Sequence, residues 1–171
     1  ILADEQNEFG GWLLGESDTT IDGKAPADWV VGVVAELEAM PEVTLLPRTT
    51  VFGYMDHNYI TLTERVTDHL GERPTHLPRQ RMWKVRASQT VLAQGAHERP
   101  LVFSGNDLPG VMLSGAVRSY ITRYGVVPGN RTVVFTNNDD AYRTALALHG
   151  AGAHVVVVDL RSDLNGELVK A

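Results

Sequence analysis

The stretch RTVVFTNNDDAYRTALALHGAGAHVVVVDL, residues 131–160, decides the fold class. It opens with an apolar run of strand length and passes through a short polar turn. Apolar residues then recur at helical spacing, and a second apolar run ends on Asp159. Strand, helix and strand in this compass make a βαβ unit, with its two strands parallel. A nucleotide-binding version of the unit wants glycines in the first turn, because they let the backbone approach a pyrophosphate. Here the turn reads Thr136-Asn137-Asn138-Asp139-Asp140-Ala141. Carboxylates at a helix start stabilise it by about 0.3–1 kcal/mol each, and they occupy the positive end that a phosphate would need. One of the two is expected to cap the helix. The unit therefore reads as architecture rather than as a ligand site.

Working outward, VMLSGAVRSYITRYG reads as a helix closed by Gly125, after a loop at SGNDLPG. Beyond Asp159, RSDLNGELVKA is a loose end or the start of another element. Upstream, TVLAQGA (Thr90 to Ala96) reads as a strand running into a glycine turn. TTVFGYM and YITLTERV flank DHN as a hairpin, and MWKVRA adds a third strand after a polar, proline-containing loop. APADWVVGVVAELEAM is a helix with Trp29, Val30, Val33, Val34, Leu37 and Met40 on one face. Pro26 suits its first turn and Pro41 stops it. VTLLP is a short strand. Ile1 to Ala3 is the tail of another, running into Asp4 and Glu5, and EQNEFGGWLLGESDTTIDG is a loop. The predicted class is α/β: a partial Rossmann-like FAD/NAD(P)-binding fold with a three-stranded antiparallel β-meander, followed by a second βαβ unit. Residues 1–103 are expected to form the C-terminal part of a first dinucleotide-binding domain. Residues 104–171 are expected to begin a second, nucleotide-binding-like domain with a degenerate turn. Because the chain opens inside a strand, a piece of a longer polypeptide is expected, with self-association through the cut strand edge.

The 171 residues carry a net charge of -6, with no block of like charges, which argues against nucleic-acid and polybasic membrane surfaces. The chain has no cysteine, which excludes disulfides, thiolate metal sites and dithiol redox chemistry within it. No apolar run reaches transmembrane length. His57, His69, His76, His97, His149 and His154 show no metal-ligand spacing, so no metal site is expected. His97-Glu98-Arg99 and RQRMWKVR read as a charged turn and an alternating strand.

Two places could carry chemistry. Asp4 and Glu5 stand at a strand end, where a carboxylate can accept the hydroxyls of an adenosine ribose. An ordinary solvated acidic loop is the competing interpretation. Gly10 and Gly11 follow and permit close backbone approach. The small residues within TVLAQGA could let a cofactor pack on the backbone, or form a plain strand exit.

The long stretch TVLAQGAHERPLVFSGNDLPGVMLSGAVRSYITRYGVVPGNRTVVFTNNDDAYRTALAL resembles the alpha subunits of heterotetrameric sarcosine oxidases. So do ADEQNEFGG, TTIDG, LLPRTTVFGYMDHNYITLTERVTDHL and LPRQRMWKVRA. These subunits are similar to two-dinucleotide-binding-domain flavoproteins of the glutathione reductase type. More distant relatives are opine and amino-acid dehydrogenase subunits, which share an ERP…LPGVM pattern. The resemblance implies a cytoplasmic flavoprotein oxidoreductase that demethylates sarcosine to glycine, with hydrogen peroxide and a one-carbon unit. It implies beta, gamma and delta subunits as partners, FAD and FMN elsewhere in the complex, and tetrahydrofolate elsewhere in the parent subunit. It also implies a non-covalent NAD on the alpha subunit and no catalytic residue in this chain. Carried over residue by residue, Asp4 and Glu5 fall on the ribose acids, with Gln6 beside them. Gly11 and Trp12 fall near the pyrophosphate, Trp12 where the family favours a small or hydroxylated residue. The backbone of Val51 falls at the adenine edge. Ala93-Gln94-Gly95 takes the place of the family's Ala-Thr-Gly turn. A dehydrogenase subunit and a purely structural subunit-contact domain are the alternatives.

Overall fold

A computed structural model of the chain describes residues 1–17 and 19–170. Asp18, inside the loop read from the sequence, and Ala171, at its last position, lie outside the described residues. The fold is mixed α/β and divides into two compact units, Ile1–Gln94 and Gly95–Ala171. Residues 95–103, assigned from the sequence to the first domain, go with the second unit. There Asn106 donates to the Leu101 carbonyl, and the Phe103 ring meets Phe135 edge-on at 5.6 Å.

In the first unit, β1 (Leu2–Ala3) pairs in parallel with β2 (Leu45–Leu46). Between them runs α1 (Pro26–Glu38). Pro26 starts α1 because its missing N–H is one that the first turn leaves unpaired anyway. Of the predicted apolar face, Val30 is buried and Met40 is exposed beyond the helix end. A short 3-10 helix, Gly11–Gly15, packs against α1. Gly10 sits above it at φ 125°, and a Cβ there would stand 2.9 Å from Val30 Cγ1. Its small size is thus spent on packing against α1.

The meander follows as β3 (Thr49–Met55), β4 (Tyr59–Arg65) and β5 (Gln80–Arg86), antiparallel in that order. The tight turn Asp56–Asn58 puts His57 and Asn58 in the left-handed region. Asn58 ties the turn down, accepting from the Tyr54 hydroxyl at 2.7 Å and donating to the Ser88 carbonyl at 3.1 Å. The central strand β4 buries Ile60, Thr61 and Leu62. Across it Glu64 faces Arg81 and accepts from Arg81 Nη1 at 3.0 Å and from Trp83 Nε1 at 2.7 Å. The loop into β5 is held at its root by Asp68, which accepts from Arg79 and Gln80, each at 2.6 Å. The Arg79 hydrogen bond holds the Asp68 carboxyl below its usual range.

The second unit holds α2 (Ser114–Tyr124), β6 (Arg131–Thr136), α3 (Asp140–Gly150), β7 (His154–Asp159) and a short α4 (Glu167–Lys170). Strands β6 and β7 pair in parallel, Arg131 with His154 through Thr136 with Asp159, so the βαβ unit forms as the periodicity required. Gly125 closes α2 at φ 65°, a conformation that glycine adopts at no steric cost. The core gathers Val117, Val134, Ala141, Ala145, Leu148 and Ala153. Thr144 is buried on α3 and pairs with Ser114 at the start of α2. The Ser114 hydroxyl donates to Thr144 Oγ1, which donates back to the Ser114 carbonyl.

Two local expectations are corrected. Thr90 to Ala96 forms no strand, because no other strand lies beside it to take its backbone hydrogen bonds; Val91 and Leu92 are 89% and 64% exposed. Neither carboxylate caps α3. Asp139 already has helical backbone angles (φ -76°, ψ -25°) and makes no side-chain cap bond. The cap comes from Asn138, whose Oδ1 accepts from the Asp140 amide at 3.0 Å. Asp139 and Asp140 turn instead to Arg161 and Arg118.

Candidate functional site

The candidate site lies where β1 runs out. The strand ends on Asp4, whose amide donates to Leu46 and whose carbonyl accepts from the Thr49 amide at 2.8 Å. The chain then turns sharply, because Asp4 Oδ1 accepts from the Gln6 amide at 2.9 Å. The Asp4 carboxylate is thereby committed to its own backbone. Glu5 is exposed, and its carboxylate has no hydrogen bond or ion pair among the described residues. The acid pair seen in the sequence thus separates into a structural residue and an open one.

Around Glu5 lies a pocket of about 440 Å³, lined by Glu5, Gln6, Asn7, Arg48 and Arg65. Beside the acidic turn, part of the pocket is built by the chain leaving β2. Leu46-Pro47-Arg48-Thr49 carries Pro second and a left-handed residue third, as a type II turn requires. The Arg48 amide donates to the Gln6 carbonyl at 2.7 Å, and its carbonyl accepts from the Arg65 amide at 3.0 Å. Arg65, at the end of β4, donates from Nη2 to the Glu5 carbonyl at 2.7 Å. A backbone bond from Arg48 and a side-chain bond from Arg65 thus pin the acidic turn to two arginine-bearing segments.

Of the residues singled out in the sequence, this pocket takes Glu5 and Gln6, with Asp4 beneath them shaping the turn. Gly11, at φ 51° with open space around its Cα, and the exposed Trp12 begin the 3-10 helix. Val51 is exposed on β3. Ala93, Gln94 and Gly95 are exposed where the chain passes from one unit to the next. None of these six residues lines the pocket. Asn7, Arg48 and Arg65 were not anticipated. The Pro-Arg pair after a short strand was the available signal for Arg48. For Arg65 there was none, since one more charged residue closing an alternating strand is unremarked.

The second acid-ended strand differs in kind. Asp159 is 4% exposed at its side chain and is fully engaged. Arg161 reaches it through Nε at 3.1 Å and Nη2 at 2.7 Å, and the Tyr142 hydroxyl donates at 3.1 Å. The Arg161 hydrogen bonds hold its carboxyl down at about 2. Burial raises the Tyr142 hydroxyl, with the Asp159 bond adding to the effect. The same guanidinium bridges to Asp139 at 2.7 Å. Gly166 lies close against the Asp139 carboxylate, which would have to shift to admit a Cβ there. A ribose at this edge would have to displace a tethered arginine, so the carboxyl end of β6–β7 is closed by the protein's own groups.

Among the described residues no group of His, Asp or Glu could hold a metal ion, and no helix is long and apolar enough to cross a membrane. No family model matches the chain. By fold the chain is mixed α/β, with two parallel strand pairs and an antiparallel three-stranded sheet. It is similar to the crystal structure of L-proline dehydrogenase from P. horikoshii, with TM-score 0.69 and 22% identity, over 97% of this chain and 31% of that one. By sequence it is a homologue of one segment of sarcosine oxidase subunit alpha. It is 52% identical over 163 residues to that subunit from Rhizobium meliloti (strain 1021) and 46% identical over 172 residues to the one from Corynebacterium sp. (strain P-1). These matches cover 94% and 100% of this chain but 16% and 18% of the two subunits, so the chain spans under a fifth of the relatives' length.

Proposed function

We propose that this chain contributes part of a non-covalent NAD site to a sarcosine oxidase alpha subunit and carries no complete active site of its own. The observation that supports this is the open carboxylate of Glu5 at the end of a parallel strand, in a pocket with Gln6. A carboxylate so placed accepts the two hydroxyls of an adenosine ribose. The residues present fit that group. Glu5 is unengaged among the described residues, and Gln6 adds an amide beside it in the same pocket. A bound NAD would supply hydride-transfer capacity, and the part of this chain is to hold and orient its adenosine half.

In this reading the first unit, Ile1–Gln94, belongs to a Rossmann-like NAD domain, and the second, from Gly95, begins a fold kept for architecture. The whole subunit works in a cytoplasmic complex with beta, gamma and delta subunits, FAD and FMN. That complex oxidises sarcosine to glycine, hydrogen peroxide and a one-carbon unit, which tetrahydrofolate can accept. Calorimetric titration of NAD into the protein and into Glu5→Ala tests the site. Saturable binding that Glu5→Ala weakens at least tenfold is expected, since two hydrogen bonds to a charged acceptor are lost. Equal affinity in the two proteins would sink the assignment and favour a purely structural role.

A further inference from the structure

Arg48 is the anomaly of the pocket. It is a long, branched-head residue in the left-handed region, at φ 54°, in a turn position that glycine or asparagine fills without strain. The strain is held by backbone bonds on both sides, from the Arg48 amide to Gln6 and from the Arg65 amide to Arg48. Its guanidinium has no hydrogen bond or ion pair among the described residues, although Glu5 lines the same pocket. Arg65, by contrast, spends a nitrogen on the Glu5 carbonyl. The pocket therefore presents one open carboxylate, one committed arginine and one uncommitted arginine. A strained backbone that aims an unpaired cation into a pocket is the pattern of a ligand contact rather than of a packing residue.

We infer that Arg48 binds a phosphate of the nucleotide whose ribose Glu5 accepts, which makes it a specificity-determining residue of this site. The inference rests on the nucleotide reading of the Glu5 pocket. A guanidinium matches the paired oxygens of a phosphate with parallel N–H donors. Because it lines the same pocket as the ribose acid, it can balance a charge that Glu5 alone would repel. The phosphate can come from either of two sources, the pyrophosphate bridge shared by NAD and NADP or the additional 2′-phosphate of NADP.

The test compares the wild-type protein with Arg48→Gly and Arg48→Asn, both suited to a left-handed turn. Melting temperature and the affinities for NAD and NADP are measured on each. The variants are expected to melt at or above the wild-type temperature, because strain is relieved, and to bind nucleotide about tenfold more weakly. Equal weakening for both dinucleotides assigns Arg48 to the pyrophosphate, and weakening for NADP alone assigns it to the 2′-phosphate. Arg48→Lys, which keeps the charge without the fork, should recover part of the loss. Unchanged affinities in a folded Arg48→Gly overturn the inference while leaving the Glu5 site intact. Absence of binding of either dinucleotide to the wild-type protein overturns both together.

Discussion

At the scale of single residues, this protein turns on which charges are already spoken for. Asp4 and Glu5 are adjacent, yet one is bound to the Gln6 amide and the other is open. Asp159 occupies the equivalent end of another parallel strand and is saturated by Arg161 and Tyr142. Its carboxyl lies at about 2 in the folded protein, against the usual value of about 3.9. A lowered value means that the stability drawn from the Arg161 pairing is complete above about pH 4 and is lost as pH falls toward 2. Arg161→Gln removes the cause. Melting curves recorded from pH 7 down to pH 2 should therefore show a flatter acid slope below about pH 4 for the variant than for the wild type; parallel slopes would place the acid lability elsewhere. Leu148 is 0% exposed at the centre of the second unit's core. Leu148→Ala should cost about 2–5 kcal/mol, read from urea unfolding, because the cavity left behind collapses only in part.

At the scale of elements, local rules govern most of the outcome, and the exceptions have identifiable causes. The helices at 26–38, 114–124 and 140–150 and the hairpin at 49–65 follow from apolar periodicity and from Pro26, Pro41 and Gly125. The helix starts were harder to read. Helix α2 has no side-chain cap of its own. The carboxylate of Glu98, sixteen positions upstream, accepts from the Ser114 and Gly115 amides at 3.0 and 2.7 Å. Glu98→Ala should lower stability by about 1 kcal/mol in thermal unfolding, and Glu98→Gln by less, since its amide oxygen still accepts. No loss in either variant would show that α2 starts without help. The stretch 90–96 has strand-like composition and remains unpaired, because strand formation depends on a neighbour that composition does not supply.

At the scale of the whole molecule, the chain is two compact units joined near residue 94. Exposed backbone without secondary structure is where proteases act. Brief digestion with chymotrypsin should cut beside Leu92 before it cuts within either unit, giving two fragments identifiable by mass. First cleavage inside β4 or α3 would contradict the division. The same scale separates what could be read from the chain alone from what could not. The sequence by itself determined the α/β class, the meander, the parallel βαβ unit and an acid at a strand end, because turn chemistry and periodicity are properties of neighbouring residues. The tertiary structure alone decided that Glu5 rather than Asp4 is open, that Arg48 and Arg65 wall its pocket, and that Arg161 closes the second edge. The reason is the range of the interactions: Arg65 reaches Glu5 across 60 positions. Whether a carboxylate is free depends on which distant donors the fold carries to it, and that is set only once the strands have paired.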